Sequence, residues 1–121
     1  HPKIEKVYYL GFIDEIENPE EYAIYKKQFS SAGAMISFDI KGGEKNAFTF
    51  LNNLTLIKLA VSLGSTESLA EHPDTMTHAD VSSEEKKAMS ITDKLVRLSV
   101  GVENYEDLIW DIDQALNKVQ L

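Results

Sequence analysis

The stretch Lys94-Leu95-Val96-Arg97-Leu98-Ser99-Val100 is the part of the sequence around which the fold is organised, and its pattern predicts a β-strand. Apolar and β-branched residues dominate it, and Gly101 closes it. Because side chains alternate along a strand, one face carries Val96, Leu98 and Val100, and the other carries Leu95, Arg97 and Ser99. A charged side chain therefore lies on a strand that is otherwise apolar.

Arg97 is the only arginine in the chain, and the other eleven basic residues are lysines. A guanidinium flanked by apolar residues is costly to desolvate unless an anion meets it. Its planar fork also suits a carboxylate better than an ammonium group does. The residues alone leave two interpretations open with equal weight. Arg97 forms a salt bridge to one of the many acids of the chain, or it binds the carboxylate of a ligand.

The composition is that of an ordinary globular domain. At 121 residues, with 43% hydrophobic and 26% charged residues, the chain is expected to form one domain, residues 1–121. Twelve basic against twenty acidic residues give a net charge of −8, which argues against nucleic acid or an anionic membrane surface as partner. The absence of cysteine fits a reducing cytoplasm, and the longest apolar runs fall far short of the ~20 residues that span a bilayer.

The start of the chain predicts a cut inside a longer protein. It opens on His1-Pro2-Lys3-Ile4, with neither an initiator methionine nor the apolar core of a signal peptide. An apolar, strand-like run follows almost at once. We therefore expect the chain to begin near a domain boundary.

The remaining pattern predicts four strands separated by helices. The predicted strands are Val7–Leu10, Ala34–Ile40, Ala60–Leu63 and the Arg97 strand. The predicted helices begin after Asn18, at Glu44, at Ser82 and after Asn104, and run to about Phe29, Leu59, Met89 and the end of the chain. Between Ser65 and Val81 we expect a long irregular segment. The order indicates an α/β (α+β) domain with one small sheet covered by helices.

The segment from Ser65 to Val81 holds the other candidate groups, among them His72 and His78. A metal site is not favoured, because there is no His-x-x-x-His pair on a helix and no cysteine. A Ser-His-Asp triad is not favoured either, because no Gly-x-Ser-x-Gly turn is present. From its residues the chain presents an anion receptor, Arg97, beside a hydroxyl-rich loop. It holds no self-sufficient catalytic group.

Several segments occur in the order and spacing of one known family. They are Ala60-Val61-Ser62-Leu63-Gly64, Glu67-Ser68-Leu69, Glu71-His72-Pro73, Met76-Thr77-His78, Ile91-Thr92-Asp93 and Leu95 to Glu103. The chain resembles the C-terminal domain of the pyridoxal-phosphate-dependent enzymes of cysteine and methionine metabolism. The resemblance covers nearly the whole chain. It implies the small C-terminal domain of the aspartate-aminotransferase-like fold (fold type I), with a mostly antiparallel sheet.

The resemblance also implies a substrate site. Arg97 matches the arginine that binds the substrate α-carboxylate in this family. Ser62 matches a serine that helps orient the cofactor lysine and the substrate, and Thr77 matches a threonine that lines the pocket. The family's Schiff-base lysine and its other cofactor-binding residues belong to a larger N-terminal domain. We therefore expect this chain to have no catalytic, cofactor-binding or metal-binding residue of its own and to be inactive alone.

Val61 bears on the reaction that the resemblance implies. In cystathionine γ-lyases a glutamate often precedes the serine, and here Val61 stands in that place and favours a small apolar tail. The implied reaction is the α,γ-elimination of methionine to methanethiol, 2-oxobutanoate and ammonia by a methionine γ-lyase-like enzyme. The alternatives are a cystathionine γ-lyase, an O-acetylhomoserine sulfhydrylase or a non-catalytic stand-alone domain. The implied partners are a sulfur amino acid, the N-terminal domain and, for the full-length enzyme, further copies in a homodimer or homotetramer.

Overall fold

The centre of the chain is a mixed β-sheet of five strands, and the computed structural model describes all residues from 1 to 121. The strands are β1 (Ile4–Tyr8), β2 (Met35–Ile40), β3 (Lys58–Leu59), β4 (Leu69–Glu71) and β5 (Leu95–Ser99). The helices are α1 (Pro19–Gln28), α2 (Glu44–Asn52), α3 (Ser83–Ala88) and α4 (Tyr105–Lys118), with a 3₁₀ turn at Leu10–Phe12. None of the helices is long and apolar enough to cross a membrane.

The sheet has the order β1-β2-β5-β4-β3, so the Arg97 strand lies at its centre. Three of its four strand pairs are antiparallel, and only β3 with β4 is parallel. The mostly antiparallel α/β domain is therefore confirmed, whereas the predicted count of four strands is wrong by one.

The core lies on the face of the sheet that carries Val96 and Leu98. Helices α2 and α4 pack against each other over this face, and the ring of Phe50 meets that of Phe38 edge-on at 5.6 Å between centroids. The buried core comprises Phe38, Ile40, Ala47, Phe50, Leu51, Ile57, Ala70, Val96, Leu98, Leu108, Ala115, Leu116 and Val119. At about 1.5–3 kcal/mol for each large side chain, this burial is the main force that holds the sheet to the helices.

Two predicted strand boundaries in the middle of the chain are wrong. Ala60–Leu63 is not a strand, since β3 ends at Leu59 and only the Ala60 N–H continues the pairing, donating to the Ala70 carbonyl at 3.0 Å. The segment from Ser65 to Val81 is not wholly irregular, because it contains β4, whose three residues are all buried. Three residues are too few to show alternation, and alanine and glutamate are not strand-favouring residues. The first strand is also earlier than predicted, at Ile4–Tyr8 rather than Val7–Leu10.

Helix α2 ends at Asn52, seven residues before the predicted end at Leu59. The cause is Asp111 of α4, whose side chain is fully buried. Its carboxylate accepts hydrogen bonds from the backbone N–H groups of Thr55, Leu56 and Ile57 at 2.8–2.9 Å. These bonds take the N–H groups that a continued helix would use, so a distant side chain ends the helix.

The other helix ends follow the sequence more closely. Ser82 and Glu85 form the predicted capping box at the start of α3, and the Asn104 side chain accepts from the Glu106 N–H at 2.8 Å. Pro19 begins α1 as predicted, but the Asn18 side chain makes no capping bond. Helix α1 buries no residue against the rest of the chain.

Candidate functional site

Arg97 lies on the face of the sheet opposite the core, in a row of polar side chains that crosses four strands. It pairs with Ser37 on β2 and with Glu71 on β4, and Ser37 in turn pairs with Tyr8 on β1. Directly paired residues of antiparallel strands share a face, so the four side chains lie side by side. The central position of β5 thus places the guanidinium between two polar neighbours, Ser37 and Glu71.

The guanidinium of Arg97 contacts three acceptors of the chain itself. Its Nη1 forms an ion pair with Oε1 of Glu71 at 2.8 Å. Its Nη2 donates to the Val61 carbonyl at 2.9 Å and lies 3.5 Å from the Ser62 carbonyl. The side chain of Arg97 is 20% exposed, whereas that of Glu71 is 1% exposed. The salt bridge that the sequence left open is therefore present, and part of the guanidinium still reaches the surface.

Glu71 joins the predicted site residues to one another. The hydroxyl of Thr77 donates to the same Oε1 at 3.3 Å, so Arg97 and Thr77 share one carboxylate oxygen. The structure thus brings Arg97, Val61, Ser62 and Thr77 together, although Val61 and Ser62 contact Arg97 through backbone carbonyls rather than side chains. The sequence alone does not indicate a role for Glu71. The signal that identifies it is the cross-strand register, which requires the correct pairing of β4.

The segment 60–64 passes beside the guanidinium and is held there from two sides. Arg97 binds its carbonyls, and the hydroxyl of Ser99 accepts from the Gly64 N–H at 2.9 Å. Gly64 has a φ of +72°, a conformation that favours glycine. Val61 and Leu63 in this segment, and Leu59 at the end of β3, are apolar side chains that are each more than half exposed. An apolar edge therefore borders the charged group.

The segment that follows is held in place by Glu103, which lies just before α4. Its carboxylate accepts from the N–H of Ser68 at 2.6 Å and from the hydroxyl of Ser68 at 2.7 Å. The backbone bond from Ser68 is the main reason why the pKa of Glu103 is lowered. A Cβ at Gly101 would collide with the Thr66 carbonyl oxygen, so this close approach requires glycine.

His72 is a packing residue in the structure. It is 1% exposed, its Nδ1 lies 2.8 Å from the Thr75 hydroxyl, and its Nε2 lies 2.8 Å from the Asp93 carbonyl. Its ring meets Phe48 edge-on at 4.9 Å. Both ring nitrogens are therefore engaged, and no group of three or more His, Asp or Glu side chains is placed to hold a metal ion.

The comparison with known proteins decides the family. The profile described as "Cys/Met metabolism PLP-dependent enzyme" matches residues 1–117. The chain belongs to this family. It is 55% identical over 119 residues to an L-methionine gamma-lyase of Fusobacterium nucleatum subsp. nucleatum, and 45% identical over 118 residues to a cystathionine gamma-lyase of Dictyostelium discoideum. These alignments cover 98% of this chain but only 29% and 30% of the relatives.

A solved structure agrees with this assignment. The cystathionine gamma-lyase of Lactobacillus plantarum, described as complexed with L-serine, superposes with a TM-score of 0.86 at 42% identity and covers 99% of this chain and 30% of that one. The fold is therefore that of part of a Cys/Met family enzyme. The chain spans just under a third of the length of the relatives it matches.

Three lysines of this chain that could be considered for bonding to pyridoxal phosphate already contact other side chains. A lysine that bonds pyridoxal phosphate needs a free amine beside the substrate. Lys6, on the Arg97 face, lies over the Tyr8 ring at 4.7 Å. Lys94 pairs with Glu5 at 2.6 Å, and Lys86 pairs with Asp74 at 2.8 Å. Lys6 lines a surface cavity of about 660 Å³, and neither this cavity nor four others of about 170 to 500 Å³ includes Arg97.

Proposed function

We propose that this chain is the C-terminal, carboxylate-binding domain of a pyridoxal-phosphate-dependent enzyme that cleaves a carbon–sulfur bond of a sulfur amino acid. In this proposal residues 1–121 form the small domain, and the cofactor and its lysine belong to another part of the protein. Arg97 binds the α-carboxylate of the substrate and fixes its orientation. The chain alone is inactive and does not bind the cofactor.

The observation that carries the proposal is the state of the Arg97 guanidinium. A guanidinium has five N–H donors, and the contacts in this chain use only Nη1 and Nη2. The Nε–H and the remaining Nη hydrogens have no partner, and the side chain is 20% exposed. Donors left over at the surface, on a group that is otherwise held in place, support the binding of an outside carboxylate.

The apolar edge beside Arg97 supports methionine as the substrate. Val61 is 52% exposed and Leu63 is 54% exposed, and neither carries a charge that would meet a distal amino group. The 55% identity to one relative named as a methionine gamma-lyase also favours methionine, although other relatives with that name, at 42–45%, are no more similar than the cystathionine gamma-lyases at 45%. We therefore propose α,γ-elimination of methionine. Cystathionine cleavage and a sulfhydrylase reaction are the alternatives, and Val61 argues against the first of these.

Exposed apolar surface supports a larger assembly. Phe12, Ile16, Ile24 and Phe29, in and around α1, are between 51% and 90% exposed. Apolar exposure on this scale is typical of surfaces that other parts of a protein cover. The proposed partners are the cofactor-binding N-terminal domain and, in the full-length enzyme, further copies in a homodimer or homotetramer. A cytoplasmic location goes with the proposal.

The test uses the full-length protein that contains this chain. Arg97→Ala is expected to raise the KM for methionine about 30- to 1000-fold, which corresponds to a charge-assisted contact of about 2–4 kcal/mol. Methioninamide lacks the carboxylate, so its KM is expected to differ little between Arg97→Ala and the parent enzyme. Lys87→Ala, on exposed surface of α3, is the control. An unchanged KM in Arg97→Ala would reject the carboxylate role.

A second experiment separates the enzyme from a stand-alone binding domain. The full-length protein is assayed with methionine, cystathionine and O-acetylhomoserine, and release of methanethiol from methionine is the expected activity. Pyridoxal phosphate added to residues 1–121 alone is expected to give no borohydride-fixable absorbance band. Such a band would show that the chain holds its own cofactor site.

A further inference from the structure

We propose that Glu71 is a positioning residue for Arg97. Its carboxylate holds the guanidinium in the orientation that receives the substrate carboxylate. The property that matters is its reach, meaning the length of the glutamate side chain, rather than its charge. This inference rests on the proposed function, because it assumes that Arg97 meets a carboxylate from outside the chain.

Glu71 acts through Arg97 because a substrate does not reach it. It is the last residue of β4, all three of whose residues are buried, and it is itself 1% exposed. Arg97 stands directly opposite in the antiparallel pair of β4 with β5. The backbone register therefore fixes the distance between the two side chains, and Glu71 lies behind the guanidinium as seen from the surface.

Two acceptors hold two nitrogens of the guanidinium. Oε1 of Glu71 lies 2.8 Å from Nη1, and the Val61 carbonyl lies 2.9 Å from Nη2. Because the guanidinium is planar, acceptors on both terminal nitrogens fix the direction of its plane and stop rotation about the last side-chain bonds. The hydroxyl of Thr77 bonds the same Oε1 at 3.3 Å and so restrains the carboxylate in turn.

The second oxygen of Glu71 indicates that stability alone does not explain the ion pair. Oε2 is buried and has no hydrogen-bond partner. A buried carboxylate with an unsatisfied oxygen carries a desolvation cost, and a buried ion pair often contributes less stability than an apolar pair of the same volume. Orientation of Arg97 is a function that offsets this cost, and an apolar pair would not provide it.

Two variants of the full-length holoenzyme separate reach from charge. Glu71→Asp keeps the charge but withdraws the carboxylate by one methylene, so it is expected to raise the KM for methionine about tenfold. Glu71→Gln keeps the reach and an acceptor oxygen but loses the charge, and its KM is expected to stay within about threefold. The kcat of both variants is expected to stay within about threefold, and methioninamide is expected to show no difference between them.

A double variant tests whether the effect passes through Arg97. In an Arg97→Ala background, Glu71→Asp is expected to add no further increase in KM, because the group that it positions is gone. The matched control is Asp39→Asn. Asp39 is another buried acid on this face of the sheet, bonded to Tyr8 and Thr92 but not to Arg97. Thermal unfolding and the cofactor absorbance of each variant show that the protein is folded and loaded.

Several results would overturn the inference. A KM for methionine below that of the parent enzyme in Glu71→Gln would make Glu71 a competitor of the substrate, and an unchanged KM in Glu71→Asp would show that its reach does not matter. A KM increase in Asp39→Asn equal to that in Glu71→Asp would show a general effect of buried acids on this face. Additive effects on KM in the double variant would show that Glu71 does not act through Arg97. If Arg97→Ala itself leaves the KM unchanged, the proposed function fails first. If Arg97→Ala raises the KM while the Glu71 variants do not, only the role of Glu71 fails.

Discussion

Replacement of Asp111 by alanine should destabilise the protein more than the loss of any other single polar side chain on α4. Asp111 is fully buried, and each of its carboxylate oxygens accepts two or more hydrogen bonds. Its donors include three consecutive backbone N–H groups, those of Thr55, Leu56 and Ile57. These bonds set the path of the chain between α2 and β3, so their loss affects both elements.

The magnitude follows from the surroundings of each donor. Thr55 and Leu56 are exposed, so water can replace the carboxylate there, at a cost of about 1 kcal/mol each. Ile57 is 3% exposed, so its N–H would be left unsatisfied at a cost of about 1–3 kcal/mol. We therefore expect Asp111→Ala to lower the free energy of unfolding by about 3–5 kcal/mol, and Asp111→Asn, which keeps one oxygen, by about 2 kcal/mol.

Urea unfolding followed by circular dichroism measures the loss, and native-state hydrogen exchange locates it. The amides of residues 55–57 should exchange faster in Asp111→Ala than in the parent protein, while those of β1 change little. Asp113→Ala is the control, because Asp113 is exposed and lies 3.7 Å from His1. The control is expected to change the free energy by about 0.5 kcal/mol or less. If Asp111→Ala also changed the free energy of unfolding by only about 0.5 kcal/mol or less, the reasoning would be refuted.

Three further outcomes are expected. Glu103→Ala removes both acceptors of Ser68 and should cost about 2–3 kcal/mol, with faster amide exchange at Ser68. Burial, and then the bond to Asp39, raise the pKa of Tyr8 to about 12, so Tyr8→Phe should remove a late step from the tyrosine absorbance titration and cost about 1–2 kcal/mol. Burial opposes the lowered pKa of Asp111, but backbone bonds from 57, 55 and 56 outweigh it. The stabilising effect of the ionised Asp111 is therefore complete above its ordinary pKa of 3.8 and is lost as the pH falls through the lower pKa of the folded state. Between pH 5 and pH 2 the urea midpoint of the parent protein should fall, and that of Asp111→Asn should fall by less.

The fold was predictable wherever the decisive signal is local. The β5 strand, the capping box of α3 and the start of α1 at Pro19 each depend on residues within one turn or one strand of each other, and each is confirmed. The end of α2 depends instead on Asp111, about sixty positions away. The apolar spacing through Ile57 continues the helical pattern, but the hydrogen bonds to Asp111 override it. A local sequence pattern cannot indicate that a side chain of another helix will bind these backbone N–H groups.

The candidate site shows the same division. The isolated charge on an apolar strand identified Arg97 from the sequence, and the family resemblance added Ser62, Thr77 and Val61. The sequence assigns no role to Glu71 because its strand is only three residues long and its pattern is typical of a loop. An acid within a loop has no reason to meet Arg97, whereas the last residue of a buried strand paired with β5 meets it directly.

The two interpretations of Arg97 that the sequence left open describe different parts of one group. The ion pair with Glu71 uses Nη1, and the Val61 carbonyl uses Nη2, so the internal contacts take the donors that face the sheet and the 60–64 segment. A mobile arginine would lose conformational entropy each time it closed on a ligand, whereas one already held loses little. The internal acid therefore does not argue against an outside carboxylate. It lowers the entropic cost of binding one, and comparison of the KM values of Glu71→Asp and Glu71→Gln measures this effect.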